Sequence, residues 1–175
     1  DVADDLGQVR REGAGQQARF GRHRGQAILA HDGVEERVTF DAALLSTGSR
    51  PRIPDWAAVD GDRILTTRQA YPPPVIPEHL VVIGSGVTGV EFAHMFRAFG
   101  SRVSLVVSRQ HVLPSKDPEV AAVLEESFVS RGVELHKGAR AEAIKRIENA
   151  ECDGIEVQCA DGRKVRGSHA LLAIG

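Results

Sequence analysis

Three glycines at positions 84, 86 and 89 have the spacing Gly-x-Gly-x-x-Gly. A strand pattern, His79–Ile83, precedes them and a helical pattern, Val87–Phe99, follows them. In this setting the missing side chains allow a tight turn, and a diphosphate can approach the N–H groups at the positive end of the helix. The sequence therefore predicts an adenine-dinucleotide site, with a ligand-free glycine corner as the alternative. The predicted site residues of the turn are Gly84, Ser85, Gly86, Val87, Thr88 and Gly89.

The residue at the end of the next strand predicts which dinucleotide binds. Folds of this kind that prefer NAD place Asp or Glu there, about 20 residues beyond the turn, to bind the ribose hydroxyls. Here the position is Ser108, followed by Arg109 and Gln110. A carboxylate would repel a 2′-phosphate, whereas a hydroxyl beside a guanidinium would accept it. The sequence therefore predicts that NADP(H) is preferred over NAD(H), with Arg109 as a merely solvated loop cation as the alternative.

A carboxylate, Glu91, is expected in the first turn of the helix after the glycines. The helix dipole stabilises a negative charge there, which would explain the residue without any ligand. The same position would also place Glu91 close to the nicotinamide of a bound dinucleotide. Both interpretations of Glu91 stay open at this point.

The order of predicted elements gives an α/β fold. The first helix is followed by a strand, Val103–Val107, a helix that begins at Asp117-Pro118, and a third strand, Val133–His136. A β-α-β-α-β order requires a parallel sheet with right-handed crossovers. We predict a Rossmann-like parallel sheet with helices on both faces. The residues predicted to form the inner face of the second helix are Val120, Val123, Leu124 and Phe128.

The segment after the third strand has a different pattern, with short strands separated by polar turns. We predict a three-stranded antiparallel β-meander over residues 141–147, 154–159 and 164–166. The continuously apolar run 170–174 is predicted to return to the parallel sheet, since strands buried on both faces are apolar throughout.

The N-terminal part has weaker patterns. Val2–Arg11 is interpreted as the end of an amphipathic helix, and Val38–Thr47 as a buried strand that ends in a glycine turn. Residues 51–78 contain six of the eight prolines and are predicted to be a connector, in which Thr66 or Thr67 caps one helical turn. The predicted organisation is an N-terminal segment over 1–50, this connector over 51–78, and a nucleotide-binding domain over 79–175.

Composition excludes several classes of function. The 175 residues carry a net charge of −2, so no overall basic field indicates binding to nucleic acid. No run approaches the roughly 18 apolar residues of a membrane span. The seven histidines show no metal-binding spacing, and the two cysteines are interpreted as free thiols of a cytoplasmic protein. We therefore predict a small-molecule nucleotide partner, with no nucleic acid, membrane or metal.

Three ordered motifs resemble the pyridine-nucleotide-disulfide oxidoreductase family. The run Pro77–Ala93 is similar to the start of its NAD(P) domain, and Ser46–Pro51 is similar to the turn by which its chain leaves the FAD domain. Ala170–Gly175 resembles the strand that closes the NAD(P) domain. The resemblance implies that Thr47 and Gly48 approach the flavin of the intact protein, and that Gly175 contributes to cofactor binding.

Finer similarities distinguish branches of the family. Val103–Pro118 and Leu124–Phe128 resemble the actinobacterial flavoprotein reductases known as NAD(P)H quinone reductases or as dihydrolipoamide dehydrogenase-like proteins. Members similar to glutathione reductase have an aromatic gate where Val87 stands. Val87 therefore favours the lipoamide dehydrogenase or transhydrogenase branch.

The resemblance implies an activity for the intact protein. Hydride would pass from nicotinamide to FAD and then to a disulfide, a quinone or a second nucleotide, within a homodimer. This chain has one dinucleotide turn and no Cys-x4-Cys pair. The resemblance therefore implies that residues 1–50 are the C-terminal part of an incomplete FAD-binding domain and that residues 79–175 are the NAD(P)-binding domain. Such a chain is expected to bind dinucleotide without turnover. The alternative is a stand-alone nucleotide-binding sensor or interaction module without flavin.

Overall fold

The structure is a computed structural model that describes residues 7–10, 17–20, 25–41, 44, 46, 48–149 and 152–174. The chain divides into two compact units, residues 1–49 and residues 50–175. The domain boundaries given above remain predictions, and each unit is described by itself.

The first unit contains a four-stranded antiparallel sheet in chain order. The strands are β1 (Gly7–Arg10), β2 (Gln17–Phe20), β3 (Gln26–His31) and β4 (Val34–Thr39). The prediction of a helix over residues 2–11 is wrong for Gly7–Arg10, because these residues pair with β2, and pairing between distant segments overrides local helix propensity. The prediction of a buried strand over residues 38–47 is wrong, because the strand found here is β4, which ends at Thr39 and is exposed along its length. Ala42, Ala43, Leu45 and Thr47 lie outside the described residues.

The second unit is built on a five-stranded parallel sheet with the order β5-β12-β6-β7-β8. Its strands are β5 (Ile64–Thr66), β6 (His79–Ile83), β7 (Arg102–Val107), β8 (Val133–Lys137) and β12 (His169–Leu172). Three helices accompany it: α1 (Thr67–Ala70), α2 (Val87–Ala98) and α3 (Pro118–Ser130). The antiparallel meander consists of β9 (Ala141–Asn149), β10 (Cys152–Cys159) and β11 (Lys164–Gly167). The predicted parallel sheet and the predicted meander are both confirmed.

The two faces of the parallel sheet are covered differently. On one face Leu80 and Val82 pack with Phe96 of α2 and Phe128 of α3, and Ala70 of α1 joins the same core. On the other face, the alternate residues of β6, Val81 and Ile83, pack against the meander. The residues of the meander in this core include Ile144, Ile155 and Val157. The expectation of helices on both faces is corrected in this respect, since the meander supplies the apolar surface that the second face requires.

The inner face of α3 also differs from the expectation. Val120 and Val123 are 59% and 67% exposed, whereas Ala121 and Phe128 are buried. The start of the helix was predicted correctly: Asp117 is the N-cap, its side chain accepts a hydrogen bond of 2.8 Å from the Glu119 N–H, and proline follows it. An apolar pattern shared by two adjacent helix faces does not decide which face packs inward.

The predicted connector contributes an edge strand to the sheet. Residues Ile64–Thr66 form β5, which pairs in parallel with β12. Thr66 is the N-cap of the short helix α1, as predicted, and its N–H donates to Gln69 Oε1 at 2.8 Å. No helix in the described part of the chain has the length and apolar character needed to span a bilayer.

A chain of polar side chains crosses the sheet near the amino ends of β6, β7 and β8. His79 Nε2 lies 2.9 Å from Ser104 Oγ, and Ser104 Oγ donates to Glu134 Oε2 at 2.9 Å. Burial, followed by the charge of Arg102, holds the pKa of His79 below its ordinary value. Burial likewise lowers the pKa of His136 and His169.

Because the pKa values of these three histidines are lowered, we expect the chain to lose stability in mild acid. Their pKa values are lowered in the folded state, so below about pH 6.5 the unfolded chain binds more protons than the folded chain. The free energy of unfolding is therefore expected to fall as the pH is lowered from 7.5 to 5.5. Urea denaturation at both pH values measures this change, and His79→Gln should show a smaller change than the parent. Equal changes in the two proteins would exclude His79 as a contributor.

Candidate dinucleotide-binding site

The three glycines of the turn have three different environments. Gly84 has a φ of +109°, and a Cβ there would lie 2.5 Å from the carbonyl oxygen of Ala173. A Cβ at Gly89 would overlap the carbonyl oxygen of Gly84, so α2 packs directly on the end of β6. A Cβ at Gly86 would meet no atom within 4 Å. Gly84 and Gly89 are therefore required by the fold, whereas the fold leaves the space at Gly86 open.

The N-terminus of α2 presents backbone donors at this open space. Gly86 is the N-cap, with an extended backbone and no side chain that could accept a hydrogen bond. The first bond of the helix runs from the Val90 N–H to the Gly86 carbonyl oxygen, at 3.1 Å. The amides of residues 87–89 precede this bond, and helix geometry gives such amides no partner within the helix. Together with the helix dipole they favour an anionic ligand.

A cavity of about 510 Å³ lies beside the turn, at the carboxyl ends of β6 and β7. It is lined by five of the residues predicted from the sequence: Gly84, Ser85, Gly86, Ser108 and Arg109. It also has three arginines in its wall, Arg52, Arg109 and Arg140, and none of the residues described in its wall is acidic. The cavity is therefore suited to a negatively charged ligand.

Five other predicted residues do not line this cavity, among them Gly89, which is buried where α2 packs on the end of β6. Val87, Thr88 and Glu91 are exposed on α2. The helix begins at Val87 as predicted, but Glu91 is its fifth residue and a turn holds about 3.6 residues, so the expectation that Glu91 lies in the first turn is wrong. Gln110 is also exposed, and it lines a neighbouring depression together with Arg109 and His111.

Three predicted residues belong to the two motifs that flank the glycine turn in the sequence, Ser46–Pro51 and Ala170–Gly175. Thr47 and Gly175 lie outside the described residues. Gly48 is exposed in the first unit, where its φ is +73° and a Cβ would meet no atom within 4 Å. The contacts predicted for these three residues stay predictions.

Sequence reasoning missed part of the cavity wall. The missed residues are Arg52, Pro54, Trp56, Ile83, Val106, Pro114, Ala139, Arg140, Ala141, Ala173 and Ile174. One signal could have identified Arg140: it follows the third parallel strand, and the carboxyl ends of parallel strands meet at the ligand-binding edge of such a sheet. No local pattern marks Arg52 or Trp56, which reach the cavity from the proline-rich segment.

The loop that carries Ser108 and Arg109 is held in place at both ends. The carboxylate of Glu125, on α3, accepts 2.9 Å and 2.7 Å hydrogen bonds from the Val112 N–H and from Lys137 Nζ. Burial opposes the charge on Glu125, but these two donors hold the pKa of its carboxyl below its usual value. At the other end, the Gly138 N–H donates to the Arg109 carbonyl oxygen at 2.9 Å. The loop is thereby attached to α3 and to the end of β8.

This geometry agrees with the comparison with protein families. The sequence profile of one family, described as Pyridine nucleotide-disulphide oxidoreductase, matches residues 8–175. The chain belongs to this family. The resemblance stated from the motifs is thus confirmed, and so is the parallel-sheet fold with its antiparallel meander.

Individual relatives give the same result. The chain is 48% identical over 154 residues to an NAD(P)H dehydrogenase (quinone) of Mycobacterium tuberculosis. The matched region covers 88% of this chain and 30% of that protein. It is 35% identical over 148 residues to a dihydrolipoyl dehydrogenase of Zymomonas mobilis, and this matched region covers 82% of this chain and 31% of that protein. The crystal structure of LpdA from Mycobacterium tuberculosis matches with a TM-score of 0.69 and 40% identity, over 97% of this chain and 35% of that one. The chain therefore spans about 30% of the length of these curated relatives.

Proposed function

We propose that this chain is the NAD(P)H-binding part of an FAD-dependent oxidoreductase and prefers NADP(H) over NAD(H). In the intact protein, hydride would pass from nicotinamide to flavin and then to a disulfide, a quinone or a second nucleotide. The observation that carries the proposal is the open space at Gly86, which faces the N-terminal amides of α2 beside the arginine-lined cavity.

The diphosphate would be bound by the backbone rather than by side chains. Gly86 leaves room for a phosphate oxygen to reach the amides of residues 87–89. Such charge-assisted hydrogen bonds are stronger than those between neutral groups. The turn does not have to move to make them, because Gly84 and Gly89 already hold it between β6 and α2.

Two observations support the preference for NADP(H). The position expected to bind the adenosine ribose is Ser108 rather than a carboxylate, and Arg109 follows it directly. Both residues line the cavity, and none of the residues described in the cavity wall is acidic. A 2′-phosphate would therefore meet a hydroxyl and a guanidinium without charge repulsion.

The flavin side of the proposal rests on the family. Bound FAD would supply the acceptor for the hydride of the nicotinamide. Of the two residues expected near it, the structure describes Gly48, whose positive φ and open surroundings fit the close approach of a ligand. We also infer that the intact protein is a homodimer, as the resemblance implies, and that it is cytoplasmic, as the interpretation of its two cysteines as free thiols predicts.

Titration with each nucleotide tests the proposed function. We expect the chain to bind NADPH about ten times more tightly than NADH at physiological salt, which corresponds to about 1.4 kcal/mol from the additional charged contacts. Isothermal titration calorimetry of the 175-residue chain measures both affinities. Tighter binding of NADH would refute the preference, and binding of neither nucleotide would refute the dinucleotide site.

The alternative function is a nucleotide sensor that operates without flavin. It predicts that the protein made from the complete gene binds NAD(P)H and contains no FAD. The proposed oxidoreductase predicts a yellow protein whose flavin absorbance is bleached by NADPH. An absorbance spectrum of that protein before and after addition of NADPH separates the two functions.

A further inference from the structure

We propose that Arg140 determines cofactor specificity by forming, with Arg109, a two-arginine clamp for the 2′-phosphate of NADPH. The inference rests on the proposed function and adds to it a residue from a different strand. The two residues lie 31 positions apart in the sequence, so the sheet has to bring them to one cavity.

The sheet brings the two arginines to the same edge. Arg109 follows β7 and Arg140 follows β8, and these two strands are parallel neighbours. The Gly138 N–H donates to the Arg109 carbonyl oxygen at 2.9 Å, so the segments that leave the two strands are bonded directly to each other. Both arginines line the same cavity.

The backbone of Arg140 is fixed while its side chain is exposed. The Arg140 carbonyl oxygen accepts a hydrogen bond of 2.9 Å from the Ala160 N–H of the meander. Its two neighbours in sequence, Ala139 and Ala141, are buried in the core between the parallel sheet and the meander. Arg140 is exposed between them, so its position at the cavity does not depend on any contact of its guanidinium.

Several arginines of the second unit form ion pairs with carboxylates, and among the described residues Arg109 and Arg140 do not. The paired arginines include Arg63 with Asp153, Arg163 with Asp161, and Arg166 with Glu156. Within the described part of the chain, the guanidiniums of Arg109 and Arg140 have no carboxylate partner. Two arginines left without a carboxylate at the edge of one cavity are suited to an external anion.

The two arginines share the cavity wall with Ser108, and this position indicates which group of the ligand they would bind. Ser108 marks the end of the strand where a dinucleotide-binding fold contacts the adenosine ribose. The group that distinguishes NADPH from NADH there is the 2′-phosphate, which two guanidiniums can bind through several charged hydrogen bonds. Arg140 should therefore contribute to NADPH binding and contribute little to NADH binding.

Binding measurements on the 175-residue chain test this proposal. We expect Arg140→Gln to weaken NADPH binding about tenfold and NADH binding less than about twofold, because one charge-assisted contact to the 2′-phosphate is lost. Adenosine 2′,5′-bisphosphate should lose affinity as NADPH does, whereas 5′-AMP should not. Arg140→Lys should retain part of the affinity, since lysine keeps the charge but not the planar fork.

A matched control separates the clamp from the loss of general positive charge. Lys145 lies on β9, outside the cavity wall, and is exposed. Lys145→Gln removes the same charge and should change neither affinity by more than about twofold. A circular dichroism melt of each variant checks that the fold is retained.

The outcomes distinguish the clamp from the proposed function itself. Equal weakening of NADPH and NADH by Arg140→Gln would overturn the clamp and assign Arg140 to the diphosphate. No change in either affinity, or the same selective loss in Lys145→Gln, would also overturn it. Failure of the parent chain to bind either nucleotide would instead refute the proposed function, and the clamp with it.

Discussion

Gly89→Ala is expected to destabilise the second unit by about 3 kcal/mol, a typical cost of forcing extra volume into a closely packed site. A Cβ at this position would overlap the Gly84 carbonyl oxygen, which belongs to backbone that cannot rotate away. The helix or the end of β6 would have to shift. Helix propensity alone predicts that Gly89→Ala stabilises the protein, since alanine is favoured over glycine in a helix by about 1 kcal/mol.

Urea denaturation of the parent and of Gly89→Ala measures this effect. The matched control is Gly86→Ala in the same turn, where a Cβ meets no atom within 4 Å and φ is −70°. We expect Gly86→Ala to cost less than about 1 kcal/mol, the usual cost of a weaker helix N-cap. If the two variants have equal stability, the close contact between α2 and β6 does not require glycine.

Gly86→Ser is expected to weaken the binding of both NADPH and NADH about 100-fold while the fold remains as stable as the parent. Serine is a favoured N-cap residue, and its Oγ can accept a hydrogen bond from the amide of residue 88 or 89. It would thereby occupy both the open space and a donor that the diphosphate needs. The loss corresponds to about 2.7 kcal/mol, in the range of one or two charge-assisted hydrogen bonds.

Calorimetric titration together with a thermal melt checks this prediction. The affinities should fall for both nucleotides alike, because the diphosphate is common to them. Unchanged affinity in a folded Gly86→Ser protein would mean that the diphosphate binds elsewhere. A selective loss of NADPH alone would place the 2′-phosphate, rather than the diphosphate, at the N-terminus of α2.

The two glycine variants and the Arg140 variants address different parts of one site. Gly89 tests the packing that shapes the turn, Gly86 tests the contact common to all dinucleotides, and Arg140 tests the discrimination between them. Because these effects have different readouts, stability, overall affinity and selectivity, a failure in one does not obscure the others.

Features of the site that depend on neighbouring residues were predictable from the sequence. Glycine at 84, 86 and 89 between a strand and a helix specifies the turn, and Asp117 followed by proline specifies the start of α3. Each depends on backbone conformation over a few positions, where residue type limits the accessible φ and the available donors. For the same reason Ser108 and Arg109 were correctly predicted to follow the second parallel strand.

Features that depend on distant residues were decided only by the tertiary structure. The sequence could not show that the meander, rather than a helix, covers the second face of the sheet, or that Val120 and Val123 of α3 face solvent. Nor could it show that Arg140 and Arg109 line the same cavity, because that arrangement depends on the pairing of β7 with β8. Local sequence limits which conformations each segment can adopt, whereas burial and strand pairing between remote segments select the arrangement that forms the site.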